Sequence, residues 1–393
     1  MSFLGYRRPD GTIGVRNYVT VISAGSCVNE IPVRIAERVK NVVPIIHNEG
    51  DLRRRDNEQI IRTLVGIGKN PNVATCLVVG LGCEIRPPDM LGDKIAKSSK
   101  PVEVITVEKI GDFYETISKG IDITRKLVYY ASKIKRKEEE ASNLTIGVKC
   151  AGSDTSSGLA GNPSVGAASD MIIEHGGTVI ISETAEMIGA EHILAGRAVS
   201  REVADKVYDI VRRMEWRAIE AGIDIRGSEP TPANIKGGLT TIEEKSLGVI
   251  IKGGTKHIQG VLEYAEAPKG KGLYVMDSTA HTNETLIGFT AAGCQISMVS
   301  MGLFNLLLKL PMLPAASAGT PIIPVIKVST APQGKGYIDI HVDKVLTGEE
   351  TIEEAGKRIF NEILEVASGK KTIVETFKGY IEPIAIYTTG PLL

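Results

Sequence analysis

The chain has 393 residues, 42% hydrophobic, 24% charged and 5% aromatic, the balance of a globular enzyme rather than a disordered or fibrous protein, and its length predicts two domains rather than one core. Forty-six basic against 47 acidic residues give a formal charge of -1, which excludes the overall positive field that nucleic acid or an acidic membrane surface needs. No apolar run reaches the length of a membrane span, and the first ten residues hold two arginines and no hydrophobic signal core, so the chain reads as cytoplasmic.

From Tyr18, short β-branched runs alternate with amphipathic segments: YVTVIS, a helix near Asn29 to Val39, VPIIH, a helix near Asp56 to Gly66, TCLVVGLG, a segment after Pro88, VEVITVE, and a long helix from about Asp112. This alternation predicts an α/β fold with a mainly parallel sheet flanked by helices. Lys133 to Asn143, KIKRKEEEASN, is highly charged and reads as the end of a solvated helix leading into a linker. The expected division is therefore an N-terminal domain over 1–140 and a second α/β domain over 141–393. The second series runs through LTIGVKC, TVIISE, a helix over Ser200 to Ala221, GLYVMDS, QISMVS, PVIKVS, YIDIHV and a last helix from about Thr351. In the Ser200 helix, Val203, Val207, Ile210, Val211 and Met214 recur at helical spacing, and Gly222 stands where a C-terminal cap belongs. Five scattered cysteines, Cys27, Cys76, Cys83, Cys150 and Cys294, have no paired spacing and read as reduced thiols.

Ligands of open parallel sheets bind beyond the carboxyl ends of the strands, so the residues after each apolar run are the candidates. After LTIGVKC comes AGSDTSSGLAGNP, whose small hydroxyls and glycines suit a polyhydroxylated or anionic ligand, or form a polar turn into a helix capped by Asn162. After TVIIS come Glu183, Glu186, Glu191 and His192, either a divalent-metal site or an acidic helix start favoured by the macrodipole. Around the pairs Gly237-Gly238 and Gly253-Gly254, Thr241 and Glu244 stand in capping-box relation. Lys245 and Lys252 there can hold a substrate carboxylate or, if desolvated, act as a base; a solvated surface lysine is the alternative. Asp277, His281 and Asn283 follow GLYVM. GxGxxG, GxxxxGK(S/T) and GxSxG are all absent, so no nucleotide cofactor and no serine hydrolase is expected.

Five segments in order, GYRRPDGTIGVRN, NPNVATCLVVGLGCE, CAGSDTSSGLAGNP, SETAEMIGAEHILAGRA and GGLTTIEEKSLG, resemble the altronate and galactarate dehydratase family over nearly the whole chain. The resemblance implies a lyase acting on hexonates or hexarates that depends on a divalent metal, usually Fe2+, with Mn2+ or Mg2+ as alternatives. It also implies a dimer-forming domain before a Rossmann-like C-terminal domain that carries the metal. Family members often have an additional N-terminal β-rich module, so a separate small subunit is expected as a partner. Departures occur at Asn70-Pro71-Asn72-Val73, where His-Pro-Asn-Val is common, at Gly50-Asp51 in place of Gly-Cys, and at the apolar Met301 to Asn305 with the leucine-rich stretch to Pro314, where Gly-Arg-Gly is frequent. Loss of that arginine weakens the case for a second bound carboxylate.

By this reading the ion is held by Glu183 and His192 with Asp154 or Glu244, and chelates the substrate carboxylate and hydroxyl. Lys245 is the expected base and His281 the second candidate, by analogy with enolase-type sites. Ser153 and Lys252 contact substrate, and Glu183→Gln abolishes metal-dependent turnover while leaving the fold intact. The expected product is a 2-keto-3-deoxy acid. The rival reactions are elimination of sulfite by a sulfolactate sulfo-lyase large subunit and a non-catalytic role in such a complex.

Overall fold

The computed structural model describes residues 1–50, 55–303, 320–333, 337–376 and 382–390. Asp51 and the leucine-rich stretch from Phe304 to Pro314 lie outside them. The alternating runs form two parallel sheets flanked by helices. In the first, β3 (Tyr18–Ser23), β4 (Val42–Ile45), β5 (Val73–Gly80) and β6 (Val102–Thr106) lie in the order β4-β3-β5-β6, all parallel. Every residue of β5 is buried, as a strand covered on both faces requires, which is why VATCLVVG reads as a continuous apolar run. The connecting helices are α1 (Glu30–Arg38), α2 (Asn57–Lys69), α3 (Pro88–Ala96) and α4 (Phe113–Ser132). The Asp112 carboxylate starts α4 by accepting from the Glu115 amide at 2.8 Å.

The second sheet is built from β8 (Thr145–Ala151), β9 (Thr178–Ile181), β10 (Ile258–Leu262), β11 (Gly272–Met276), β12 (Ile296–Met301), β13 (Val325–Ser329) and β14 (Ile340–His341). Their order is β10-β11-β9-β8-β12-β13-β14, every pair parallel, and the order reverses between β8 and β12. Its principal helices are α5 (Asn162–Glu174), α6 (Arg201–Glu220), α7 (Ile242–Ile250), α8 (Thr282–Ala291) and α9 (Ile352–Ala367). The Ser200 hydroxyl caps α6, Val207, Ile210, Val211 and Met214 are buried, and Gly222 follows at φ 71°. Among the described residues, no helix is long and apolar enough to cross a membrane.

The charged stretch departs from expectation. The helix ends at Ser132, and Lys137–Glu140 forms a strand, β7, antiparallel to β1 (Ser2–Arg7), which also pairs with the short β2 (Ile13–Gly14). Alternation decides this: Glu139 is buried and ion-paired to Arg7, while Glu138 and Glu140 face water, a period of two that a charge count hides. Through Phe3, Ile13 and Val15 this small sheet packs into the core of the second sheet's body, beside Ile359 and Ile363 of α9.

Asn70 and Asn72 are structural. The Asn70 amide donates to the carbonyls of Thr290 and Cys294 at 2.7 and 2.8 Å, and that of Asn72 to Gln295 and Ile322 at 2.8 and 2.9 Å. The Asn72 side-chain oxygen accepts from the amides of Val15 and Arg16. Both residues lie at the amino end of β5, opposite the carboxyl edge, and the departure at Asn70 helps to fasten the two sheets together.

Candidate functional site

The point where the second sheet reverses its strand order lies at the carboxyl ends of β8 and β12, and the glycine-rich segment leaves β8 there. Asp154 begins a helical segment at Thr155: its Oδ1 accepts from the Ser157 amide at 2.8 Å and from the Ser156 hydroxyl at 2.7 Å. Asp154, rather than Asn162, is therefore the cap; the Asn162 amide donates instead to the Gly248 carbonyl. Residues 157–161 form a π-helical turn, a local widening that recurs at functional sites. Across from it, Gly302 follows the end of β12, and a Cβ there would come within 2.2 Å of the Asp154 carboxylate. Glycine is required there for close approach.

Glu183 follows β9 with φ 80° and ψ 59°, a left-handed conformation costly for any residue but glycine and found where surrounding structure fixes a site. Its carboxylate is fully buried. Lys149 donates to one oxygen at 2.7 Å; Lys252 and the Cys150 amide donate to the other, the amide at 3.0 Å. Burial alone would raise the Glu183 pKa, but the ammoniums of Lys149 and Lys252 overcome it and hold the group below the ordinary carboxylate range. Burial opposes the charge on Lys149 too, and Glu183 and Glu186 overcome that, raising its pKa.

A second ion cluster adjoins the first. The Lys245 ammonium lies 3.0 Å from Glu186 and 2.6 Å from Glu229. Burial disfavours its charge, yet the two carboxylates push its pKa well above that of ordinary lysine. Glu186 is shifted upward by burial and by the charge of Glu183, against the lysines. Its Oε2 is buried and finds no hydrogen-bond partner among the described residues.

Ser153, Asp154, Glu244 and Lys245, all singled out from sequence, line one cavity of about 180 Å³ between the 153–162 segment and α7. Glu183 and Lys252 are not on it. Lys252, expected to contact substrate, is 0% exposed with its ammonium on Glu183. The two carboxylate neighbours of Lys245, the expected base, raise its pKa against burial, a direction that favours the ammonium over the free amine. His281 is exposed and bonded to Glu284 in the first turn of α8, away from the cavity. His192 is exposed on a short helix, Glu191–Gly196.

The four donors named for a metal do not fit one ion. Glu183 already serves two ammoniums, Glu244 accepts from the Thr240 amide at 2.7 Å, His192 faces outward, and no three His, Cys, Asp or Glu side chains converge among the described residues. Sequence reasoning missed Lys149. The signal was available: a lysine inside the otherwise apolar strand LTIGVKC requires a buried counter-ion.

The comparisons with known proteins agree with this architecture. Residues 5–132 match the family model of the D-galactarate dehydratase/altronate hydrolase second domain, and residues 141–391 that of the D-galactarate/altronate dehydratase C-terminal domain. The chain is 36% identical to (2R)-sulfolactate sulfo-lyase subunit beta of Chromohalobacter salexigens, covering 95% of this chain and 94% of that one. It is 32% identical to galactarate dehydratase (L-threo-forming) of Escherichia coli, over 100% of this chain and 77% of the relative. Against altronate dehydratase of Bacillus subtilis it is 29% identical, over 100% and 78%. Both matched domains and these relatives, carbon-oxygen or carbon-sulfur lyases by name, place the chain in the galactarate and altronate dehydratase family of lyases.

Proposed function

We propose that the protein is a β-eliminating lyase acting on a 2-hydroxy acid, with a sugar acid such as altronate or galactarate as substrate. The observation that carries this is the Lys245 ammonium, locked between Glu186 and Glu229 on a cavity that also presents Ser153 and Asp154. Removing a proton beside a carboxylate builds negative charge on that carboxylate, and a fixed, dry cation is the group that stabilises it. In this reading Lys245 binds the substrate carboxylate and Ser153 hydrogen-bonds a substrate oxygen. Glu186, which stands behind the cavity wall 3.0 Å from the Lys245 ammonium and is made more basic by burial and by Glu183, takes the α proton. The C–H electrons form the C=C bond as the C–O bond breaks and the β hydroxyl leaves with the proton that Glu186 has taken, giving water and an enol that becomes the 2-keto-3-deoxy acid. No step is assigned to a metal on Asp154, Glu183, His192 and Glu244.

The second reading is expulsion of sulfite from sulfolactate by the same proton removal. Similarity to a sulfo-lyase subunit over nearly the full length of both chains supports it, and that relative's designation as subunit beta supports a partner subunit.

Reduced protein is incubated anaerobically with altronate, galactarate or sulfolactate, with and without Fe2+ and a chelator, and 2-keto acid and sulfite are assayed. Keto-deoxy acid without sulfite, lost in Lys245→Met, supports the dehydratase. Sulfite with pyruvate supports the second reading. No product from any substrate, with or without a candidate small subunit, refutes both.

A further inference from the structure

The first sheet has a ligand-binding edge of its own that the proposed elimination leaves unused. Its order, β4-β3-β5-β6, reverses between β3 and β5, and a crevice opens beyond the carboxyl ends of the strands at such a reversal. The pairing Ser23↔Val79 closes the two strands there. Cys27 and Cys83 each stand four residues beyond that pair, on the two loops that flank the reversal. They are the exposed cysteines of the chain; Cys76, Cys150 and Cys294 are buried, and burial pushes the Cys76 thiol up to about 12.

The loops that display these thiols are held by an unusual amount of buried polar structure. Arg86, 0% exposed, donates to the carbonyls of Glu49 and Gly50 at 3.3 and 2.9 Å. His47 uses both ring nitrogens, one on the Ser23 carbonyl and one on the Glu49 amide. The Glu84 carboxylate accepts from the Leu81 and Gly82 amides, the latter at 2.8 Å. The Ser26 amide donates to the Glu49 carbonyl at 3.3 Å, and the Asn29 amide to the His47 carbonyl at 2.8 Å. A Cβ on Gly25 would come within 3.2 Å of Glu84, so the two cysteine-bearing loops lie against each other. Buried polar networks of this kind fix loop geometry, and Cys27 and Cys83 are exposed on the loops that this one holds. The N-terminal ends of α1 and α3 face the same edge and favour negative charge there.

We propose that Cys27 and Cys83 are the protein ligands of a site for a thiophilic divalent cation at the carboxyl edge of the first sheet. Each thiol gives up its proton on binding. Thiolates select Fe2+, Zn2+ or Co2+ over Mg2+ and Ca2+. Among the described residues no third His, Cys, Asp or Glu joins them as a ready-made cage, so the remaining positions are open to water or an anionic ligand. His47 serves as scaffold only. This inference stands independently of the elimination chemistry proposed above.

Co2+ alone is the probe, titrated anaerobically into the reduced full chain while thiolate-to-cobalt charge-transfer absorption in the near ultraviolet is followed. Cys27→Ser and Cys83→Ser, both at exposed positions, should each remove roughly half of the band, and the double variant all of it. His192→Ala should leave it intact, and circular dichroism checks that each variant is folded. Absence of a band in the wild type, or a band that survives in the double variant, overturns the proposal.

Discussion

Replacing Glu183 by Gln removes one charge from between two ammoniums that water does not reach. The side chains of Lys149, Glu183 and Lys252 are 2%, 0% and 0% exposed, and the new amide oxygen can accept from one lysine only, leaving its NH2 facing the other. Breaking a buried ion pair by removing one partner costs about 3–5 kcal/mol. At about 2–4 °C of melting temperature per kcal/mol for a body of this size, the midpoint should fall by on the order of 10 °C. Glu183→Gln should therefore destabilise the fold as well as stop turnover, contrary to the expectation from sequence that the fold is left intact. Scanning calorimetry reads it directly. Because the folded pKa of Glu183 is depressed, its contribution is present above the ordinary carboxylate range and is lost as pH falls through the folded value, so the deficit should shrink in acid. Lys149→Met combined with Glu183→Gln should cost less than the sum of the single changes by about 1–3 kcal/mol. A midpoint for Glu183→Gln within about 2 °C of the wild type would refute the claim that this cluster is a buried, mutually dependent set of charges.

Two further outcomes follow from neighbouring geometry. Burial, reinforced by Arg86 and opposed by the hydrogen bond to Ser23, lowers the His47 pKa to about 4; the neutral ring is then the folded form. Its contribution is complete above an unfolded value of about 6.5 and is lost as pH falls toward 4, roughly 3 kcal/mol in all, so urea midpoints of His47→Gln should vary less with pH over this window than those of the wild type. Gly302→Ala places a methyl against the Asp154 carboxylate and should lower turnover at least about tenfold while costing only about 1–3 kcal/mol of stability; unchanged kinetics would remove Asp154 from the site.

Local periodicity carried most of the fold. Helix α6 was legible from its apolar repeat, its Ser200 cap and Gly222, because all three signals lie within one stretch of sequence. Strand β7 was not, because the alternation in KEEE spans four residues and its meaning depends on Arg7, more than a hundred positions away. The site divides in the same way. Ser153, Asp154 and Lys245 follow strands or caps and could be found by position, and the cavity brings them together. The role of Lys245 could not be found, because the two carboxylates that fix its charge, Glu186 and Glu229, come from different elements. Lys252 and Glu183 were found as residue types, but their pairing with each other and with Lys149 was not, since a carboxylate between two lysines and one facing a metal look alike in sequence.

The small antiparallel sheet of β1, β2 and β7 bears on the order in which the molecule is assembled. Strands β3 to β6 and their helices form one contiguous stretch, so that sheet can be completed as soon as it leaves the ribosome. The body around the second sheet cannot. Part of its core, Phe3, Ile13 and Val15, is synthesised first, and their partners Ile359 and Ile363 emerge near the end of the chain. Those first apolar side chains stay uncovered through most of synthesis, an interval in which exposed hydrophobic surface invites aggregation. Expressing 141–393 alone would leave the matching gap permanently open.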